Sequence, residues 1–249
     1  MPSFAASAGD LQTNDLTGIS FWLVTAAMLA ATVFFFAERD QVKGKWKTSL
    51  SVAGLVTGVA FWHYLYMRGV WVETGASPTV YRYIDWLITV PLQIIEFYLI
   101  LRVCTNVSSG LFWRLLAASL VMLIAGFMGE TGSNEVICFV IGMAGWLYII
   151  YEVFTGEAGK LNASSGNVAA QQAFSTIRLI VTVGWAIYPI GYFLTMGTGA
   201  DLAGANLIYN LADFINKIAF GLAIWAAACL LYTSPSPRDQ RGSRIPASS

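Results

Sequence analysis

Charged side chains are scarce in this chain of 249 residues. Asp, Glu, Lys and Arg together make up 11% of it, whereas an ordinary soluble domain has about 25%. So few charges cannot cover a water-soluble surface on a chain of this length, and 57% of the residues are hydrophobic. The composition therefore predicts a polytopic membrane protein of one domain. A formal net charge of zero leaves no basic surface for nucleic acid.

Cysteine and histidine are almost absent as well. The cysteines Cys104, Cys138 and Cys229 stand in apolar runs without the spacing of metal ligands. We therefore expect them to be small core residues and predict no metal site. The single histidine, His63, also lies in an apolar run, where a histidine is usually a satisfied core residue.

The two ends of the chain differ in composition from its middle. We expect residues 1–16 to form an extracellular segment, because residues 2–9 resemble the trimmed cleavage region of a secretory signal. Residues 232–249 are rich in Ser, Pro and Arg and show no periodicity. We interpret them as a disordered tail or as foreign sequence introduced by cloning. The remaining residues, 17–231, form the predicted membrane domain.

Long apolar runs fill that middle region. A run of about 20 apolar residues can cross a bilayer as a helix. The runs do not alternate as the strands of a membrane β-barrel would, and the loops between them are short. The sequence therefore predicts an all-α bundle of seven transmembrane helices with antiparallel neighbours. The predicted spans are roughly 17–37, 48–67, 79–101, 111–129, 135–154, 171–194 and 206–231.

Lysine and arginine are concentrated on one side of the predicted topology. They lie in or beside the first, third and fifth loops and in the tail, whereas the even-numbered loops carry few. Positive charge favours the cytoplasmic side. We therefore expect the N-terminus outside and the C-terminus in the cytoplasm.

Five ionisable side chains lie deep inside the predicted spans: His63, Asp85, Glu96, Asp213 and Lys217. A charge at mid-bilayer costs at least ~2.5–3.5 kcal/mol on insertion scales, so each needs a partner or a purpose. Asp213 stands four residues before Lys217, on the same helix face. The two residues either form a buried structural ion pair, or Lys217 is a desolvated lysine whose amine takes part in a chemical reaction. Burial disfavours the charged ammonium, and a neutral amine can condense with an aldehyde.

The third span carries a polar face. Asp85 and Glu96 are eleven residues apart, which places both carboxylates on one helix face, about 16 Å apart along the axis. Arg82, Thr89 and Gln93 lie near the same face. With the expected orientation, Asp85 is on the outer side of the membrane midplane and Glu96 on the inner side. A cation at Lys217 would then stand between them, which is the layout of a one-way proton relay.

Aromatic residues gather on the sixth span. Trp185, Tyr188 and Pro189 share one helix face, and Trp86 and Trp146 lie in other spans. Such aromatics usually serve packing alone. Around a buried amine they could instead form the walls of a slot for a flat polyene.

Three strings carry a resemblance to a known family: RYIDWLITVP at 82–91, GWAIYP at 184–189 and NLADFINK at 210–217. Together with residues 61–69 and 96–101 they resemble the microbial rhodopsins, over about residues 17–226. The resemblance implies that all-trans-retinal is bound to Lys217 as a protonated Schiff base. It further implies the following roles: Asp85, primary counterion and proton acceptor; Asp213, second counterion; Glu96, proton donor from the cytoplasmic side.

Further positions follow from the same resemblance. Arg82 is expected to stabilise the counterions and His63 to lie beside Asp85. Gln93 occupies a position where blue-absorbing relatives carry Gln and green-absorbing ones carry Leu, so the resemblance implies a blue-absorbing pigment. The remaining residues expected around retinal are Trp86, Thr89, Met122, Trp146, Trp185, Tyr188, Pro189 and Tyr209.

The implied function is a light-driven outward proton pump of the bacterial inner membrane, which is ion translocation and not enzyme catalysis. Its partners would be retinal, protons and the lipid bilayer. Relatives form pentamers or hexamers, so a homo-oligomer is expected. Two other readings remain open: a photosensory rhodopsin that signals to a membrane transducer, and a retinal-free seven-helix transporter or receptor.

Overall fold

The computed structural model describes residues 11–132, 134–197 and 200–233, with the backbone alone for 231–233. Residues 1–10 and 234–249 lie outside the described residues, and with them most of the predicted N-terminal segment and tail. Within the described ranges every regular element is helical. The elements are α1 (Leu16–Glu38), a 3-10 turn (Arg39–Gln41), α2 (Trp46–Thr74), α3 (Thr79–Cys104), α4 (Ser109–Thr131), α5 (Glu135–Phe154), α6 (Glu157–Ser164), α7 (Val168–Leu179), a π-helical turn (Ile180–Gly184), α8 (Ile187–Thr195) and α9 (Leu202–Thr233).

Seven stretches of the described chain are long and apolar enough to cross a bilayer. The predicted number of spans is therefore confirmed. The fifth span combines α5 and α6, and the sixth combines α7, the π-helical turn and α8. Odd-numbered spans run in one direction and even-numbered spans in the other. We call the end at which α1, α3, α5 and α9 begin the N-terminal end of the bundle, and the opposite end the C-terminal end.

Side-chain caps and a glycine explain several helix ends. Asp15 Oδ1 accepts a hydrogen bond from Gly18 N at 2.8 Å and so begins α1. Ser108 and Asn167 cap α4 and α7 in the same way. The second helix is longer than predicted and ends at Thr74 instead of residue 67. Gly75 ends it in the left-handed region, at φ 65°, a conformation that glycine adopts without steric cost.

A short helix, α6, extends the fifth stretch beyond α5, where the sequence predicted only a polar break. Gly156 precedes α6, whose first amides face the carboxylate of Glu152 on α5. Glu152 Oε1 accepts hydrogen bonds from Glu157 N at 2.7 Å and from Ala158 N at 3.3 Å. Because this cap comes from a residue outside the loop, the loop's own composition did not predict the helix.

Sequential helices pack against each other from α1 to α5, and α9 packs against α1, α2, α7 and α8. The bundle is therefore closed, with α9 among the helices that surround its interior. Its surface carries exposed apolar side chains, such as Leu23, Val33 and Leu55. The interior contains most of the ionisable groups of the spans. Such a distribution suits a lipid environment, in which polar groups must be satisfied inside the protein.

Gly145 allows α4 and α5 to approach closely. A Cβ atom at this position would lie 2.8 Å from the carbonyl oxygen of Ala118 and 3.1 Å from Met122 N. Both are backbone atoms, so a larger residue would have to push the two helices apart. Small residues commonly permit this close packing between membrane helices.

We predict that Gly145→Ala lowers stability by roughly 1–3 kcal/mol, the usual cost of overpacking. Gly69→Ala is the matched control, since a Cβ there meets nothing within 4 Å, and alanine is the better helix former by about 1 kcal/mol. Thermal unfolding of both variants in one detergent checks the prediction. Equal midpoints for the two variants would contradict the close approach of α4 and α5.

Candidate functional site

A buried lysine stands near the middle of α9. Lys217 is 2% exposed, and Asp85 and Asp213 are both 0% exposed. Lys217 Nζ donates to Asp213 Oδ2 at 3.1 Å and also contacts Asp85 Oδ2. The structure thus brings together the cation and the two carboxylates that the sequence predicted beside it, from α3 and α9. We call Lys217, Asp85 and Asp213 the ion cluster.

Asp213 is held by neutral donors as well as by the lysine. Its carboxylate accepts hydrogen bonds from Tyr188 OH at 2.7 Å, Tyr64 OH at 2.9 Å and Trp86 Nε1 at 3.1 Å. These donors come from α8, α2 and α3. A buried carboxylate needs such bonds to offset the loss of water. Both oxygens of Asp213 are therefore hydrogen-bonded.

Arg82 lies beside the ion cluster without an ion pair to either carboxylate. Its Nη2 donates to Asn206 at 2.9 Å and to Asn210 at 3.0 Å, and its Nη1 donates to Tyr64 at 3.3 Å. Arg82 therefore reaches Asp213 only through Tyr64. Sequence reasoning missed both asparagines. Their spacing could have indicated them, because positions 206 and 210 lie on the same face of α9 as Asp213 and Lys217.

His63 lies beside Asp85 but makes no hydrogen bond to it. The two atoms His63 Nδ1 and Asp85 Oδ1 are 3.8 Å apart. The same ring nitrogen lies 2.9 Å from the carbonyl oxygen of Val59, one turn earlier. Asp85 Oδ1 is buried and has no hydrogen-bond partner among the described residues. One oxygen of Asp85 thus contacts the lysine, and the other is unpaired.

The polar face of α3 is buried along its length. Thr89 Oγ1 donates to the backbone oxygen of Asp85 at 3.0 Å. Gln93 is 1% exposed and Glu96 is 0% exposed. Glu96 lies about 16 Å along the helix from Asp85, toward the C-terminal end. Neither carboxyl oxygen of Glu96 has a hydrogen-bond partner among the described residues.

An apolar cavity lies next to the ion cluster. Trp86 and Tyr188 line it, and both also donate to Asp213. Lys217 does not line the cavity, nor do Thr89 and Gln93. The predicted residues that do line it are Trp86, Met122, Trp146, Trp185, Tyr188, Pro189 and Tyr209.

Sequence reasoning missed a carboxylate in the cavity wall. Glu130 of α4 lines the cavity, and its Oε1 accepts hydrogen bonds from Tyr209 OH at 2.7 Å and Tyr83 OH at 3.0 Å. Gly126 makes room for the Tyr83 hydroxyl, since a Cβ there would lie 2.8 Å from it. Glu130 stands one residue before the end of α4, so it looked like part of a loop.

A π-helical turn sets the position of Trp185. In this turn Trp185 N bonds to Ile180 O at 3.0 Å, five residues back. Two of its carbonyl oxygens are bonded by side chains instead: Val181 O by Trp146 Nε1 at 2.9 Å, and Gly184 O by Asn216 Nδ2 at 3.0 Å. The residue before Lys217 is thus tied to the sixth span.

Comparisons with known proteins agree with this architecture. The family model described as bacteriorhodopsin-like protein matches residues 15–231. The chain is 63% identical over 232 residues to the blue-light absorbing proteorhodopsin of Gamma-proteobacterium Hot 75m4, covering 92% of each chain. It is 61% identical over 231 residues to the green-light absorbing proteorhodopsin of Gamma-proteobacterium EBAC31A08, again covering 92% of each.

Solved structures are similar as well. The blue light-absorbing proteorhodopsin from Med12 matches with a TM-score of 0.77 and 63% identity, over 87% of this chain and 99% of that one. Exiguobacterium sibiricum rhodopsin matches with a TM-score of 0.77 and 34% identity, over 86% and 96%. The fold and its buried ion cluster define a multi-pass seven-helix membrane protein. The chain belongs to the bacteriorhodopsin-like family, and its proteorhodopsin relatives are microbial rhodopsins, the group that the sequence motifs predicted.

Proposed function

We propose that this protein is a light-driven proton pump that moves protons outward and absorbs blue light. Its chromophore would be all-trans-retinal, bound to Lys217 as a protonated Schiff base. The observation that carries the proposal is the order of buried groups along the bundle. Asp85 and Asp213 contact Lys217, and Glu96 stands alone about 16 Å along α3 from Asp85. The proteorhodopsin relatives support the proposal by their similarity.

The cavity beside the ion cluster suits retinal. Aromatic and aliphatic side chains form nearly all of its wall, as a polyene requires. Trp86 and Tyr188 link this wall to Asp213. An amine paired with two carboxylates suits a cationic linkage, which needs counterions in an apolar surround. When bound, retinal supplies light absorption and isomerisation about a double bond.

The orientation of the pump rests on lysine and arginine placement. Arg39, Lys43 and Lys47 lie in or near the first loop, at the C-terminal end of the bundle, and Arg102 lies near the third. By the positive-inside rule that end faces the cytoplasm. We therefore place the N-terminal end outside, in the bacterial inner membrane. A pentamer or hexamer is the assembly that we propose.

Asp85 would accept the proton that leaves the Lys217 nitrogen. Asp213 is held by three neutral donors, whereas Asp85 has one unpaired oxygen. A proton on Asp213 would disturb those hydrogen bonds, but Asp85 can receive one at Oδ1 without losing a bond. This asymmetry of the ion cluster supports Asp85 as the proton acceptor and Asp213 as the fixed counterion. His63, 3.8 Å from that oxygen, is placed to modulate it.

Glu96 would return a proton to the Lys217 nitrogen from the cytoplasmic side. Its carboxyl group is fully buried and has no hydrogen-bond partner among the described residues. We propose it as the donor because it is a buried acid on that side of the lysine. Because donor and acceptor lie on opposite sides of the lysine, each cycle carries one proton outward.

Gln93 would set the colour. Its amide is buried on the α3 face that also carries Asp85. The amide dipole favours positive charge localised near the Lys217 nitrogen, as in the ground state. Excitation moves that charge away, so the energy gap widens and absorption shifts to the blue.

We predict that Asp85→Asn abolishes light-driven acidification by cells in weak buffer, because the acceptor is lost. Glu96→Gln should retain pumping with a slower cycle, because the donor is lost. Glu73→Gln, which changes an exposed carboxylate near the end of α2, is the control and should pump like the parent protein. Pumping at full rate by Asp85→Asn would refute the mechanism.

We predict that Gln93→Leu shifts the visible absorption maximum to the red, since the localising dipole is removed. Absorption spectra of the purified pigments measure the shift. Thr182→Val, at a half-buried position on the sixth span, controls for general effects of polar loss. An unmoved maximum in Gln93→Leu would remove the colour assignment.

A further inference from the structure

Trp86 is enclosed by three tyrosine rings that meet it edge-on. The ring centroids of Tyr83, Tyr188 and Tyr209 lie 5.0, 5.1 and 5.3 Å from that of Trp86, at interplanar angles of 73°, 78° and 84°. Edge-to-face packing at such distances is a favoured geometry for aromatic pairs. The three rings belong to α3, α8 and α9, and together they hold the orientation of the indole.

The orientation of Trp86 affects the ion cluster. Its Nε1 donates to Asp213 Oδ1 at 3.1 Å, and the same side chain lines the apolar cavity. Trp86 is 5% exposed, so bulk water cannot replace this hydrogen bond if the indole turns. A tilt of the ring would therefore change the cavity wall and the hydrogen bonding of Asp213 together.

Two of the three tyrosines are tethered by one oxygen atom. Glu130 Oε1 accepts hydrogen bonds from the hydroxyls of Tyr209 at 2.7 Å and Tyr83 at 3.0 Å. The third tyrosine, Tyr188, donates to Asp213 at 2.7 Å. The carboxyl group of Glu130, on α4, thus holds two of the rings that enclose Trp86, one from α3 and one from α9.

Glycines make room for both tethered rings. A Cβ atom on Gly126 of α4 would lie 2.8 Å from the Tyr83 hydroxyl, and one on Gly191 of α8 would lie 2.3 Å from Cε1 of Tyr209. Both separations are shorter than van der Waals contact, so a larger residue would displace the tyrosine. The backbones of two helices are therefore adapted to the tyrosines in these positions.

A positive charge faces one of the tethered rings as well. Arg82 Cζ lies over the ring of Tyr209, 5.2 Å from its centroid, which is within the range of a cation–π contact. The hydroxyl of the same ring donates to Glu130. A cation at the ring face and an acceptor at the hydroxyl therefore both restrain Tyr209.

We propose that Glu130 is a positioning residue for the retinal site: through the hydroxyls of Tyr83 and Tyr209 it holds the Trp86 indole against Asp213. The inference rests on the proposed function, in which Asp213 is a counterion and Trp86 borders retinal. Among the described residues Glu130 bonds to the two phenols and not to the ion cluster, so it acts through the rings. Loss of the tethers should loosen Trp86, weaken its bond to Asp213 and move the absorption maximum.

A role of Glu130 in stability alone predicts a different result. Its two hydrogen bonds join α3, α4 and α9, so their removal lowers the unfolding temperature under either account. The positioning role alone also changes the hydrogen bond of Trp86 and the colour of the pigment. The deciding measurements are therefore spectroscopic.

The first experiment measures the absorption maximum of retinal-loaded Glu130→Leu, Glu130→Gln and Glu135→Leu. Leucine removes both tethers, whereas the amide oxygen of glutamine can still accept from the two phenols. Glu135→Leu is the matched control: it removes a carboxylate at the first residue of α5, and Tyr192 bonds to its backbone oxygen, which the substitution keeps. We expect Glu130→Leu to shift the maximum and Glu130→Gln to stay near the parent. Equal maxima in Glu130→Leu and Glu135→Leu would overturn the proposal.

Tyrosine variants separate positioning from a direct effect of the Glu130 charge on the chromophore. Tyr83→Phe combined with Tyr209→Phe removes both hydroxyls, keeps both rings and should reproduce the shift of Glu130→Leu. Adding Glu130→Leu to this pair should shift the maximum no further, because the tethers are already gone. A further shift of full size would overturn the proposal. If Glu130→Leu does not fold, the phenylalanine variants alone decide, and an unshifted maximum in the pair overturns the proposal.

Ultraviolet resonance Raman spectroscopy of the retinal-free protein reads the Trp86 N–H group directly. The Trp86 signal is obtained as the difference between each protein and the same protein carrying Trp86→Phe. Glu130→Leu should move the band that is sensitive to indole hydrogen bonding toward a weaker bond, and Glu135→Leu should leave it in place. An unmoved band in Glu130→Leu also overturns the proposal. A parent protein that binds no retinal would refute the proposed function, and this band would still decide whether Glu130 positions Trp86.

Discussion

The contact of Lys217 with two buried carboxylates is the interaction on which the rest of the structure depends. A lone ammonium in a lipid-embedded bundle would be prohibitively costly, and so would a pair of carboxylates without a cation. Asp213 is accordingly surrounded by donors from three helices, whereas Asp85 keeps one oxygen unpaired. The two carboxylates are thus held differently, which is why we propose Asp213 as the fixed counterion and Asp85 as the proton acceptor.

The remainder of the bundle supports that asymmetry. Arg82 places a positive charge beside the ion cluster. Its guanidinium donates to Tyr64 and to two asparagines and makes no ion pair with either carboxylate of the cluster. On the other side, Glu96 is fully buried and has no hydrogen-bond partner among the described residues. Hydrogen bonding is therefore dense on one side of the lysine and sparse at Glu96, and our proposed direction of proton transfer follows this difference. The π-helical turn and its bond to Asn216 connect the lysine's helix to the sixth span.

Periodicity and the cost of buried charge were enough to predict much of the site. The spacing of Asp85, Glu96, Asp213 and Lys217 along two apolar spans fixed their faces, and those faces do meet at the lysine. Contacts between helices were harder to predict, because the spacing of residues along one helix does not show which tyrosine of another helix will reach Asp213. The π-helical turn was missed because its carbonyls are satisfied by Trp146 and Asn216, partners distant in sequence. Helix α6 was missed because Glu152, which accepts from its first amides, belongs to the preceding helix α5 and not to the polar break.

We propose the Lys217 amine as the attachment point of a retinal chromophore. The most direct test is the visible absorption spectrum of membranes that contain the protein, recorded before and after addition of all-trans-retinal, for the parent chain and for Lys217→Ala. A visible band should form only with retinal and only when Lys217 is present. A parent protein that stays colourless, or an equal band in Lys217→Ala, would contradict this attachment.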